Sequence, residues 1–179
     1  MKKSIYPIAA LIILVASAFT FVKSQDWKFG DDYAIKFTSG DPSGEFKGLK
    51  GTVSFDPANL AASKFDVSVD ASTINTGNGM KNTHAKSEKW FDVTKYPTIT
   101  FTSTSITKSA SGYDAKGSLT IHGVTKDFTI PFTFTPSATG GVFTASFDIN
   151  RLDFNINTAE PNHGASTLKV DLNIPVTKA

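Results

Sequence analysis

Apolar and polar residues alternate along most of this chain. Tyr33, Ile35 and Phe37 alternate with Asp32, Lys36 and Thr38. Phe65, Val67, Val69 and Ala71 alternate with Asp66, Ser68 and Asp70. The same period of two returns at Ile99 and Phe101, and at Leu119 and Ile121 on a face begun at Tyr113 and Ala115. It continues through Phe128, Ile130, Phe132 and Phe134, then Phe143, Ala145, Phe147 and Ile149, and ends at Leu168, Val170, Leu172, Ile174 and Val176. A period of two puts successive side chains on opposite faces of a strand, one dry and one wet. With the stretch from Phe46 to Phe55, the pattern predicts about eight strands.

Turn signals separate these runs. Asp56-Pro57-Ala58-Asn59 reads as a type I turn, and Ser111-Gly112, His122-Gly123 and Gly140-Gly141 mark further reversals. Connections this short imply antiparallel neighbours. Between Ile149 and Leu152 the apolar parity slips by one residue, which predicts a β-bulge near Asn150 and Arg151. The segment from Asn75 to Pro97 breaks the rhythm and predicts a short helix from Asn82 to Lys89. Long insertions of this kind in compact β domains are often lids or rims. One domain of this pattern closes as a barrel or packs as a sandwich, and a barrel leaves no exposed edge.

Composition narrows the chemistry. The 179 residues contain no cysteine, which excludes disulfides, thiolate catalysis, Cys-ligated metals and a lipid-modified N-terminal cysteine. The net charge of +2 is not a property of the domain. Lys2 and Lys3 precede an apolar run from Ile5 to Val15 and then Ala16-Ser17-Ala18, the order of a secretory signal. Residues 1–18 are therefore expected to be removed, with the cut as late as residue 24, leaving one domain over 26–179. Loss of Lys2 and Lys3 takes the 18 basic side chains to 16 against 16 acidic ones. A neutral domain gives no support to bulk nucleic-acid binding. Export to the periplasm or beyond is the expected localisation, with no stable membrane span after cleavage. If uncut, Ile5 to Val22 is about long enough to anchor in a bilayer.

Catalytic patterns are sparse. There is no Gly-x-Ser-x-Gly elbow and no His-Glu-x-x-His helix, and Thr76-Gly77-Asn78-Gly79 lacks the Gly-Lys-Ser/Thr of a phosphate loop. His84, His122 and His163 lie about 40 residues apart, none with a second histidine at metal-ligand spacing, so neither metal nor cofactor is expected. His122 before Gly123 reads as turn geometry. His84 lies in the irregular segment and is the histidine with a functional reading. Arg151 is the one arginine among 18 basic residues. Its rigid fork calls for a specific partner, either a structural carboxylate or the anionic head of a ligand.

The dry faces carry more information. Phe37, Phe65, Phe101, Phe128, Phe132, Phe143 and Phe147 share inward parity, as does Ile121. A barrel lined this way either packs solid or holds a long apolar guest, and the pattern alone leaves both open. In the second case these residues line the guest, and His84, Trp90, Phe91 and Arg151 form the rim at the irregular segment.

Two runs are specific enough to suggest a family. Phe91-Asp92-Val93-Thr94-Lys95-Tyr96-Pro97-Thr98-Ile99-Thr100-Phe101 is followed by Gly117-Ser118-Leu119-Thr120-Ile121-His122-Gly123-Val124-Thr125-Lys126. With Gly44-x-Phe46, Gly48-x-x-Gly51, Ser72-x-Ile74-x-Thr76 and Arg151-x-Asp153-Phe154, they resemble the YceI-like family of secreted bacterial proteins over about Asp26 to Thr177. The resemblance implies an all-β, eight-stranded antiparallel, lipocalin-like barrel with one short helix in a long insertion. It further implies a non-enzymatic carrier of a polyisoprenoid, isoprenoid quinone or fatty lipid. Asn155 stands where many relatives carry Gly, and Asn tolerates the left-handed backbone that such a turn needs. The rival readings are a secreted adhesion or glycan-binding sandwich and a small hydrolase using His84. The sequence leaves open whether two copies form a homodimer.

Overall fold

The structure, a computed structural model, describes residues 24–40, 43–162 and 164–179. The expected signal segment and His163 lie outside the described residues. A short strand that the alternation did not mark, β1 (Asp26–Phe29), comes first. The alternating runs and the stretch from Phe46 to Phe55 become β2 (Ala34–Thr38), β3 (Ser43–Ser54), β4 (Lys64–Asn75), β5 (Thr98–Lys108), β6 (Tyr113–Ile121), β7 (Val124–Pro136), β8 (Gly140–Asn150) and β9 (Thr167–Lys178). All pairings are antiparallel. Each strand pairs with the next from β3 to β9, and β1 and β2 each pair with both β3 and β9. The first two strands therefore share one position in the wall, and the nine segments close an eight-stranded barrel. Closure removes the free edges that a sandwich would keep, so the sandwich reading is overturned.

Turn chemistry matches the sequence at several corners. Asn59 N–H donates to the Asp56 carbonyl at 2.9 Å, closing the turn at Pro57-Ala58. His122 and Gly123 both have positive φ (51° and 73°), as the two-residue β6–β7 hairpin requires. The β3–β4 register shifts between Glu45 and Lys50, where Gly48 and Gly51 take positive φ. A Cβ on Gly51 would collide with the Asp66 carbonyl oxygen, so only glycine lets the two strands close there.

Two expectations are corrected. The helix, α1, spans Gly79–Lys86 rather than Asn82–Lys89. The parity slip after Ile149 is absorbed by a 3-10 turn over Arg151–Phe154 rather than by a β-bulge. That turn ends at Asn155 with φ 57°, the left-handed position anticipated for it.

The two ends of the barrel differ. At the end holding the β3–β4, β5–β6 and β7–β8 turns, Phe55 is fully buried. Its ring meets those of Phe65, Tyr113, Phe132, Phe134 and Phe143 at centroid distances of 5.0–6.3 Å. Trp27 closes over them, its indole N–H donating to the Phe55 carbonyl at 2.9 Å. The opposite end carries the long connections, with α1 on one side and residues 151–166 on the other. The β7–β8 pairing runs from Pro136↔Gly141 to Phe132↔Ala145 and stops, although both strands continue beyond it.

Candidate functional site: an apolar cavity under the helix

The barrel is filled at the Phe55 end and hollow at the other. A cavity of about 560 Å³ occupies the hollow part, within the roughly 300–1,000 Å³ typical of small-molecule sites. Phe65, Phe132 and Phe143 form its floor, the upper surface of the packed aromatic cluster. Val67, Val69, Ile130, Val170 and Leu172 are among its wall residues. These side chains have inward parity yet are only partly buried. An inward apolar residue that keeps accessible surface borders a void, and that void is the cavity.

The roof comes from the irregular segment. α1 starts where Asn78 adopts extended backbone and its side chain accepts from the amides of Met80 and Lys81 at 3.0 and 3.1 Å. Asn82 fixes the approach to the helix, its Oδ1 accepting from both the amide and the hydroxyl of Thr76 at 2.7 Å. After α1 the chain folds back tightly. Phe91 N–H donates to Ala85 O at 3.0 Å, and Tyr96 N–H to Asp92 O at 2.8 Å. This turn aims Phe91 downward against Phe46, ring to ring at 5.6 Å. Asn78→Ala should weaken α1 by about 1 kcal/mol. Hydrogen exchange should speed up at residues 80–86 while the melting temperature stays within a degree or two.

Arg151 supports the other side of the mouth. It is 2% exposed, and burial pulls its guanidinium below the ordinary arginine value. Nε donates to Ala165 O at 3.2 Å, one terminal nitrogen to Ile156 O and Asn157 O at 2.7 and 3.1 Å, and the other to Glu160 O and Pro161 O at 3.5 and 3.0 Å. Those five carbonyls match the five N–H groups of a guanidinium. Its face lies 5.5 Å from the centre of the Trp90 ring. Lys89 carries this join outward through its carbonyl, which accepts from Asn157 N–H at 3.0 Å, and through an ion pair with Glu160 at 2.6 Å. Arg151 thus ties residues 155–165 to the turn after α1. The sequence suggested a carboxylate or a ligand head as its partner, and the geometry brings five backbone oxygens to it.

Seven of the eight expected lining residues, Phe37, Phe65, Phe101, Ile121, Phe132, Phe143 and Phe147, lie on the cavity. Phe128 does not. It lines a separate groove on the outer side, edged by the exposed Lys126, Asp127, Asp148 and Asp153, and meets Phe147 at 5.5 Å. The four expected rim residues, His84, Trp90, Phe91 and Arg151, all border the cavity. Trp90 and Phe91 are partly buried and belong to the roof, whereas His84 and Lys81 are exposed at the edge of the opening. Among the described residues the one large apolar side chain left exposed is Met80, on α1. No flat aromatic face of the kind a glycan-binding surface needs is present among them. No helix among the described residues is long and apolar enough to cross a membrane.

The wall residues that sequence reading left unassigned, such as Ala145, Leu168 and Leu172, carried the same alternating signal as those it named. Ala85 carried none, because a short polar helix gives no inward parity to read.

Comparison with known proteins agrees with this geometry. The chain is 37% identical over 139 residues to protein YceI of Shigella flexneri, covering 74% of this chain and 71% of that one. Its backbone is similar to that of BcnA from Burkholderia cenocepacia, with a TM-score of 0.76 and 28% identity over 81% of this chain and 96% of that one. The fold is also similar to that of a polyisoprenoid-binding domain from Saccharophagus degradans, with a TM-score of 0.59 and 18% identity, covering 88% of this chain and all of that domain. The model of the YceI-like domain matches residues 18–177, the barrel but for the last residue of β9, and the chain belongs to the YceI-like family.

Proposed function

We propose that this protein is a carrier or sequestering protein rather than an enzyme, and that it holds the tail of a long apolar amphiphile inside the barrel. The observation that carries the reading is the hollow half of the barrel, where inward apolar side chains border empty volume under a roof of α1 and Phe91. The guest is a polyisoprenoid, an isoprenoid quinone or a fatty lipid. The similar fold of a polyisoprenoid-binding domain supports the first of these. The basic, apolar, small-residue order of residues 1–18 supports export, and the periplasm is the proposed place of action.

Magnitudes favour a long tail. Each buried methylene contributes roughly 0.8 kcal/mol. Association costs about 4–15 kcal/mol in lost freedom of motion. Eight carbons contribute only about 6 kcal/mol and barely offset that cost, whereas twenty contribute about 16 kcal/mol. The polar end then sits at the opening near Thr76, Lys81 and His84. It meets no free guanidinium fork there, because Arg151 is already engaged by the loop it supports.

A bulky wall substitution tests the reading. Ala145 lies on the cavity wall of β8, and Ala145→Trp should fill space that a tail needs. Binding of cis-parinaric acid, a fluorescent fatty acid, should weaken at least ~10-fold, since two lost methylene contacts already account for that factor. The outward-facing Thr133→Trp should bind as the parent does. Equal affinity in all three proteins would place the probe outside the barrel and remove the reading.

A further inference from the structure

The barrel wall has a seam. β7 keeps its full ladder with β6 from Val124 to Phe132, and β8 keeps its full ladder with β9 from Gly140 to Asn150. Between β7 and β8 the ladder ends at Phe132↔Ala145. Beyond that point residues 124–131 of β7 and 146–150 of β8 face one another without pairing. Interior strands normally satisfy both edges, so this is a local opening of the sheet. The sequence marks it independently. Pro131 is the first residue beyond the ladder, and proline, which has no N–H to donate, belongs to edge positions.

Two rings cover the seam. Phe147 lines the cavity on the inside, and Phe128 lines the groove on the outside. Their centroids are 5.5 Å apart in an edge-to-face contact. One aromatic pair therefore separates the apolar interior from the surface where backbone hydrogen bonds are missing. Moving a ring by a rotamer change breaks no ladder bond there, because none exists. The outer groove is edged by Lys126, Asp127, Asp148 and Asp153, charges that keep another strand from adding to the open edge.

The geometry points to this seam as a second, lateral mouth, gated by Phe128 against Phe147, through which the hydrocarbon tail of a bound amphiphile enters and leaves. The inference rests on the carrier reading for the identity of what passes, but the opening itself is a property of the wall. A side mouth suits a long flexible chain, which can slip sideways between strands without dragging its polar end through the apolar interior.

The absence of cysteine makes a clean test available. A single thiol is placed on the cavity wall beside Phe147 by Val170→Cys, since Val170 pairs with Phe147 across β8 and β9 and lines the cavity. Its labelling by N-ethylmaleimide is compared with and without Phe128→Ala, and with the milder Phe128→Leu in case alanine disturbs folding. Labelling should accelerate at least ~10-fold with Phe128→Ala and by less with Phe128→Leu, at unchanged circular dichroism. In otherwise unaltered protein, Phe128→Ala should speed both association and dissociation of cis-parinaric acid by similar factors and so leave its affinity within about threefold. Unchanged labelling in both variants overturns the lateral mouth whatever the ligand proves to be. Faster labelling with no probe binding in the parent protein leaves the mouth standing and removes the carrier reading instead. Faster labelling with bound-probe kinetics unchanged shows a breathing wall that is not the route, and also overturns the inference.

Discussion

Arg151→Ala should cost about 3–5 kcal/mol, the range for removing one partner of a buried charged network. The cause is the number of acceptors orphaned at once. Five carbonyls between Ile156 and Ala165 share one guanidinium. The loss also removes the cation from the face of Trp90 and so loosens the roof. A melting temperature about 10 °C lower is expected for a chain of this size. Hydrogen exchange should become fast across residues 155–166 before it does so in the barrel. Arg151→Lys should recover less than half of the loss, because an ammonium has three donors and no planar fork. Full recovery by lysine would mean that charge, not the five-point geometry, holds the loop.

Phe55→Ala should be comparably damaging at the opposite end. The residue is fully buried, and its ring lies within 6.3 Å of five other aromatic rings. Truncating a buried phenylalanine costs about 3–5 kcal/mol, through lost transfer energy and the cavity left behind. Edge-to-face contacts add to the loss. The strands around Phe55 are hydrogen-bonded into a closed barrel and cannot collapse into the hole, so the upper part of that range is expected. Equilibrium urea unfolding measures the difference directly. The cavity floor shares Phe65, Phe132 and Phe143 with this cluster, so weaker probe binding should accompany the lost stability. A loss under 1 kcal/mol would mean that the aromatic cluster does not hold the closed end.

Much of this was legible in the sequence because a barrel repeats one simple rule. Alternation located the strands, and His122-Gly123 located a hairpin. Asn155 at φ 57° shows how a local conformational tolerance can be read from a single residue type. What could not be read depended on neighbours. The same alternation serves a packed core and a hollow one, so Phe55 and Val170 look alike in sequence although one is fully enclosed and the other borders the cavity. Phe128 has inward parity but lies outside the lining, because the β7–β8 ladder stops before reaching it. The helix starts earlier than expected because Asn78, not the stretch around Asn82, supplies its cap. The partners of Arg151 were invisible for a simpler reason. Five of them are backbone carbonyls, and a carbonyl leaves no trace in residue identity.

The central claim is that the hollow half of the barrel holds a long hydrocarbon chain. Native mass spectrometry of the protein purified from its own host without detergent tests it most directly, with organic extraction of the same sample. A bound mass is expected that leaves on extraction and identifies as an isoprenoid or fatty chain of about twenty carbons or more, the length at which burial at roughly 0.8 kcal/mol per carbon passes the upper end of the cost of association. A clean unliganded mass in repeated preparations, with no extractable lipid, would contradict it.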